Sequence, residues 1–556
     1  MGTEIDHATD TGEFNIANLF ERAVDAVEDR LALVCGHRRL TYRELDEEAN
    51  RLANHLLANG IREGEHIGIY GQNSVEWMVA MVAAFKMRAV PININFRYVA
   101  DELVYLFDNA DLVALVHDRE YSDRIAAIRD QVPGLRHLVV IDRDPSSAPP
   151  ASNDDPLGSV PWFEAIADGS PERPDLRRSD DDHYVIYTGG TTGMPKGVVW
   201  RHEDVFYGLG GGVDAYTNER VTHGHQLADK AKASESPMVT LNVPPLMHGA
   251  AQWGALRFFF EGNTVVFVPR FDPEDVWDTV EREKVNTIVI TGDAMARPLV
   301  ECLEANPGRW DLSSLFVVSS SAVVFSPTLK DHMLDLIDDI IIVDAIGSSE
   351  GGHNGMVIQS KGQTATHGGG GPTVSAGLDA FVLDEHLVPV EPGSGKVGRL
   401  ARTGNIPIGY YKDPVKTAET FVTAPDGTRY VIAGDMALLE ADGTITLLGR
   451  GSVCINSGGE KIFPEEVEGV LKSHPAVYDT LVVGVADDRW GHAVCAVVQP
   501  RDLDEPPSLE ALADHCRQHL AGYKVPRHLV LTPSIQRSPS GKPDYPWAAA
   551  TARGEI

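Results

Sequence analysis

Along the first 150 residues the apolar positions switch repeatedly between a helical and a strand-like spacing. Leu45, Ala49, Leu52, Ala53, Leu56 and Leu57 recur at the helical period behind Thr41-Tyr42-Arg43-Glu44, which has capping-box spacing, and Gly60 closes the run. Residues 66–70 then read as a strand, and Ser74 opens a second helix. Further strand-like runs occupy 112–116, 137–141, 263–268, 286–291 and 340–343, with helix-like segments such as 273–284 between some of them. Alternation of this kind predicts an α/β fold of largely parallel, helix-covered sheets. The Pro-rich stretch 144–156 reads as a surface loop. From about 375 to 450 short strands and turn signals (Asp426-Gly427, Asp442-Gly443) predict a β-rich subdomain. After Gly449-Arg450 a new βα-type unit begins, with strands at 482–485 and 493–498, so a domain boundary is placed between 450 and 451.

At 556 residues the chain exceeds one compact core. A formal charge of −33 argues against nucleic acid and anionic membrane surfaces as partners. It also makes Lys and Arg beside glycine loops the natural suspects for holding a polyphosphate. The 5 cysteines are far apart and form no Cys-x-x-Cys pair, which suits reduced thiols in a cytoplasmic protein. The acidic N-terminus shows no secretory signal. The most apolar stretch, 77–87, is interrupted by Lys86 and is too short to span a bilayer, so no membrane insertion is expected.

The densest chemical signal is Tyr184-Val-Ile-Tyr-Thr-Gly-Gly-Thr-Thr-Gly-Met-Pro-Lys196-Gly. A β-branched and aromatic strand runs into a loop in which Gly189 and Gly190 let backbone N–H groups converge on an anion. Thr188, Thr191 and Thr192 add hydroxyl donors, and Lys196 adds a point charge. This is a phosphate cradle, but not a Walker A loop, because the Gly-Lys-Ser/Thr ending is missing.

The order Thr-Gly-Gly-Thr-Thr-Gly-x-Pro-Lys-Gly resembles the phosphate loop of the adenylate-forming superfamily, and the resemblance runs through the chain. Ile346-Gly347-Ser348-Ser349-Glu350 is similar to the aromatic-Gly-x-Thr-Glu motif, which implies ATP contacts for Ser348 and Ser349 and a Mg²⁺-binding role for Glu350. Ile346 stands where an aromatic usually stacks on adenine. Ala433-Gly434-Asp435 resembles the Thr-Gly-Asp whose aspartate binds the ribose, and Gly449-Arg450 the Gly-Arg that closes the large domain. Ser452 falls at the hinge, where relatives carry Asp or Lys. Asn456 to Glu468 resembles the glycine loop, through Gly458 and Gly459, that lines the pantetheine tunnel; Trp490, Tyr523 and Arg527 match places that hold the CoA nucleotide. Ser538-Pro-Ser-Gly-Lys542 resembles the C-terminal motif whose lysine stabilises the α-phosphate, and Pro244-Pro-Leu-Met-His248 the segment between the ATP and acyl sites, which implies a catalytic His248 that orients the carboxylate or opens the thiol tunnel.

The resemblance implies a large N-terminal adenylation domain (1–450) and a small, mobile C-terminal domain (451–556). It also implies ATP, Mg²⁺ and CoA as cofactors and an AMP-forming acid–thiol ligase activity. No carrier-protein domain follows Lys542, which weighs against a peptide-synthetase module. Asn93-Ile-Asn-Phe-Arg-Tyr98, Thr291 to Pro298 and His367 to Pro372 look like actinobacterial fatty-acyl and steroid side-chain CoA ligases. The substrate expected is therefore a steroid or terpenoid carboxylic acid first, and a fatty acid second. Gly249, Ala250, Ala251, Ala294, Ala322 and Val323 suit a roomy apolar pocket. Two rival readings are a ligase specialised for the thioester half-reaction and a catalytically silent nucleotide-binding scaffold. A homodimer is the one macromolecular partner the reading admits.

Overall fold

The computed structural model describes residues 12–142, 156–188, 194–214, 217–321, 323–363, 372–457, 460–487, 489–538 and 541–556. Backbone contacts divide the chain into two compact units: residues 1–289 with 405–419, and residues 290–404 with 420–556. The loop expected at 144–156 lies outside the described residues except for Pro156.

In the first unit Thr41 caps the helix Tyr42–Ala58, and its capping box with Glu44 is complete on both sides. Two sheets are mainly parallel, as the βα alternation predicts. One runs Val90–Asn93, His66–Tyr70, Leu112–Asp118, His137–Ile141 and Val160–Pro161 in spatial order. The other joins Leu31–Cys35, Thr264–Phe267, Val239–Asn242 and Thr287–Ile290, with Arg38–Thr41 antiparallel at its edge. The helix Val75–Lys86 packs against strands of both sheets. All its residues except Glu76 are buried, which is why its sequence is apolar on every face. No helix among the described residues is long and apolar enough to cross a membrane.

Lys86, the one charge inside that apolar run, is fully buried. Its ammonium pairs with Glu21 and lies 2.7 Å from Asp46. Arg178 holds Glu21 at 2.7 Å and Arg173 holds Asp46 at 3.1 Å. The interruption read from the sequence is thus the hub of a buried ionic cluster.

In the second unit the strands Val317–Ser321 and Ile341–Ser348 are parallel. The sheet then continues antiparallel through Gly352–Ser360, Thr373–Ala376, Ile445–Arg450, Asp435–Leu439 and Gly398–Arg402. This is the β-rich region expected at 375–450, closed over a core of Val374, Val382, Val390, Leu400, Ala437 and Ile445. Beyond Arg450 the topology differs from the simple βα reading. Val477–Asp487 and Gly491–Pro500 are longer than expected and form an antiparallel hairpin. The parallel step comes one element later, from Gly491–Pro500 through the helix Leu509–Arg517 to His528–Leu531. Alternating apolar positions mark both strands but carry no information on their relative direction.

Candidate active site

In the first unit, the strand that enters the phosphate loop, His183–Thr188, pairs antiparallel with Lys196–Arg201, and Thr188 faces Lys196 across the hairpin ends. Gly189, Gly190, Thr191 and Thr192 lie outside the described residues. Lys196 forms an ion pair with Asp413, whose carboxylate it holds below the usual range. Sequence reasoning missed Asp413 because an Asp-Pro pair opening a helix reads as a cap. His248 is half-buried and takes the N-cap position of the helix Gly249–Phe260. Of the small residues proposed for an apolar pocket, Gly249 and Ala250 are half-buried and Ala251 is fully buried in this helix.

The second unit gathers the other expected groups. Ile341–Ser348 and Gly352–Ser360 form a hairpin whose tip is Ser349, Glu350 and Gly351, with Ser348 paired to Gly352. The Ser348 hydroxyl accepts the Gly351 N–H at 2.8 Å and so shapes the turn that presents Glu350. Ile346 packs on the β-rich core. Asp435 and Arg450 face each other in adjacent strands, with Nε 3.3 Å from the carboxylate. Ser348, Gly351, Asn354, Ala433 and Asp435 line one narrow recess.

The Lys542 residue is exposed. Loss of hydration and then the charge of Arg450 lower its pKa, while Glu350 and Asp435 oppose the shift. Burial pushes Asp435 above the usual carboxylate range against the pull of Arg450, with Glu350 adding to the rise. Asp435 and Lys542 each feel the charges of Arg450 and Glu350, so the four groups lie near one another.

The turn carrying Lys542 is braced from behind. Lys542 donates its backbone N–H to the Ser538 hydroxyl at 3.0 Å. Arg537 donates to the Gly541 carbonyl at 3.1 Å and grips Asp479 in a fork at 2.7 and 2.8 Å. Against burial, Lys472 and then Arg537 hold Asp479 down to about 2. Gly541 has φ of +75°, and a Cβ there would lie 2.5 Å from that of Ala294, so only glycine fits the turn against this helix. Arg537 and Asp479 escaped the sequence reading because their link joins positions with no motif between them. Ala322, proposed with Ala294 and Val323 for the apolar pocket, lies outside the described residues.

Gly449 owes its place to a neighbour. Its φ is +126°, and a Cβ would come 2.3 Å from Glu465. Glu465 accepts the Arg450 N–H at 3.4 Å. Burial, and then the charge of Glu468, push its carboxyl up to about 7. A carboxyl with a raised folded-state pKa stabilises the fold fully below its unfolded pKa and loses that contribution as pH rises through the folded value. Urea midpoints measured from pH 5.5 to 8.5 are expected to fall more steeply below pH 7 in the wild type than in Glu465→Gln, and the two slopes to converge above pH 7. Equal slopes below pH 7 would contradict the assignment.

Ser452 is exposed on the 3-10 turn Gly451–Val453. Gly458 and Gly459 lie outside the described residues, as do His367 to Gly371. Trp490 stands at the tip of the hairpin with the guanidinium of Arg489 4.6 Å and that of Arg527 4.8 Å from its ring centre. Tyr523 is exposed under Lys524, whose ammonium is 5.7 Å from the ring centre.

The second unit thus holds a carboxylate on a hairpin tip, an aspartate–arginine pair and a lysine on a braced C-terminal turn. The chain belongs to the AMP-binding enzyme family. It matches that family over residues 20–411 and the AMP-binding enzyme C-terminal domain over residues 466–542. It is 51% identical over 538 residues to the 3-oxocholest-4-en-26-oate–CoA ligase of Rhodococcus rhodochrous, covering 96% of this chain and 95% of that one. It is also 51% identical to the medium/long-chain-fatty-acid–CoA/3-oxocholest-4-en-26-oate–CoA ligase of Mycobacterium marinum, covering 96% of each. The crystal structure of an anthranilate CoA ligase in complex with anthranoyl-AMP shares the fold, with a TM-score of 0.81 at 22% identity over 98% of both chains.

Proposed function

We propose that the protein joins a bulky hydrophobic carboxylic acid to CoA through an acyl-adenylate, releasing AMP and pyrophosphate. The observation that carries this reading is the convergence of Glu350, Asp435, Arg450 and Lys542 on one site. A carboxylic acid of pKa near 4 is ionised at neutral pH, so its attack on the α-phosphorus of ATP needs no general base. The barrier is the approach of two anions and the charge that shifts toward pyrophosphate. Lys542 is assigned to the α-phosphate, where a cation poised for the transition state lowers that barrier. Arg450 is assigned to ribose and phosphate, Asp435 to the ribose hydroxyls, and Thr188, Ser348, Ser349 and Lys196 to the nucleotide.

Mg²⁺ is commonly held by one or two carboxylates together with substrate phosphates. Glu350 fits that demand as a turn-tip carboxylate beside Asp435 and Lys542. Among the described residues no cluster of three ligating side chains offers a complete protein cage. When bound, the ion neutralises charge on the phosphate oxygens.

For the second half-reaction the CoA thiol displaces AMP from the acyl-adenylate. Trp490 with Arg489 and Arg527 presents an aromatic face and two cations, which suits a phosphorylated adenine nucleotide. Tyr523 and the loop of Gly458 and Gly459 are assigned to the same substrate. The 450/451 junction, with Ser452 just after it, is assigned as the hinge between the two catalytic arrangements, and His248 is assigned to the segment that orients the acid.

Within this reading the preferred acid is a steroid or terpenoid acid, by likeness to relatives whose names pair 3-oxocholest-4-en-26-oate with medium- and long-chain fatty acids. In direct competition, a steroid acid with its carboxylate at side-chain carbon 26 is expected to exceed palmitate in kcat/KM by about tenfold, the scale on which apolar pockets discriminate. A clear preference for palmitate would contradict the substrate assignment and leave the ligase reading intact.

A further inference from the structure

The segment Pro244 to His248 belongs to no strand or helix, and its two prolines lack N–H donors. Three buried side-chain amides hold its backbone. Asn73 donates to the Pro244 carbonyl at 3.3 Å and accepts the Leu246 N–H at 2.7 Å. Gln252 donates to the Leu246 carbonyl at 2.8 Å, and Asn93 donates to the Met247 carbonyl at 2.7 Å. All three residues are at most 7% exposed.

Two of the amides also hold the strand that leads into the phosphate loop. Asn93 donates to the Tyr187 carbonyl at 2.9 Å and accepts the Tyr187 N–H at 2.8 Å. Gln252 accepts the Tyr184 hydroxyl at 2.7 Å. Tyr187 immediately precedes Thr188, and Met247 immediately precedes His248. One amide therefore spans the residues just before two groups assigned to different substrates, and a second amide repeats the link further back. Asn73 grips the His248 segment and also donates to the Val268 carbonyl at 3.2 Å.

We propose that Asn93 and Gln252 are positioning residues that fix the phosphate-loop strand against the His248 segment and so set the placement of the acid relative to the nucleotide. The proposal rests on the ligase reading above. Buried amides suit this task because breaking one bond leaves a dehydrated carbonyl without a partner, so the spacing has a sharp optimum. Near-attack geometry is sensitive to such spacing: a 1 Å misplacement can cost about 100-fold in rate.

The test is a KM pattern. Asn93→Ala is expected to lower kcat for acid-dependent pyrophosphate release by about 10- to 100-fold and to raise the KM values of ATP and acid together. Asn73→Ala is expected to raise the KM of the acid alone. Gln252→Glu keeps the acceptor for Tyr184 and removes the donor to Leu246, so it repeats the Asn93 pattern more weakly and serves if Asn93→Ala does not fold. A KM change confined to the acid in both Asn93→Ala and Gln252→Glu would overturn the proposal, as would wild-type constants in either. Absence of pyrophosphate release from the wild type with every acid would fail the ligase reading instead. In that case ATP affinity by calorimetry still decides the clamp: weakened binding in Asn93→Ala with Asn73→Ala unchanged supports it, and equal binding in both overturns it.

Discussion

Lys542→Ala is expected to slow acyl-adenylate formation by about 100- to 1,000-fold, the usual loss when one preorganised transition-state donor is removed. Thioester formation from supplied acyl-adenylate and CoA is expected to stay near the wild-type rate. The asymmetry follows from the surroundings of the lysine, whose ammonium feels the charges of Arg450, Glu350 and Asp435. Its backbone turn is fixed by Ser538 and Arg537, so truncating the side chain leaves the turn in place. Single-turnover assays of each half-reaction read the result. Equal loss in both, in a variant with wild-type unfolding, would remove Lys542 from its assigned role.

The largest stability effect is expected at Lys86→Met. Methionine keeps much of the lysine stem's volume and removes the charge, leaving Glu21 and Asp46 to share the Arg178 and Arg173 guanidinium groups. Removing one partner of a buried ionic cluster costs about 3–5 kcal/mol, because dehydrated charge is left uncompensated. Urea unfolding followed by a probe in the first unit is expected to show that loss. In the double variant Lys86→Met/Glu21→Gln, the cost is expected to fall well below the sum of the single ones. A loss under 1 kcal/mol for Lys86→Met would mean that the cluster is hydrated in solution.

Much of this architecture was legible from local pattern. The capping box at Thr41 and the cap at Ser74 appear where short-range chemistry demands them. The helix containing Lys86 was visible as an apolar run, but the purpose of its charge was not. Glu21, Asp46 and Arg178 come from three distant stretches, and only folding brings them together. The same holds for Asp413 beside Lys196, Asp479 beside Arg537, and Asn93 between Tyr187 and Met247. Motifs mark the groups assigned to the reaction, since each is read from a short local stretch of chain. The groups behind them bond to backbone or to each other across the fold, and any polar residue of suitable length reads alike in sequence. The direction of the hairpin at 477–500 was hidden for a related reason: side-chain alternation has the same period in parallel and antiparallel strands.

The most direct test of the ligase reading is product analysis with ATP, Mg²⁺, CoA and a steroid acid. Acyl-CoA, AMP and pyrophosphate are expected in equal amounts, with acyl-adenylate accumulating when CoA is withheld. Formation of ADP and phosphate, or ATP turnover indifferent to the acid, would contradict it.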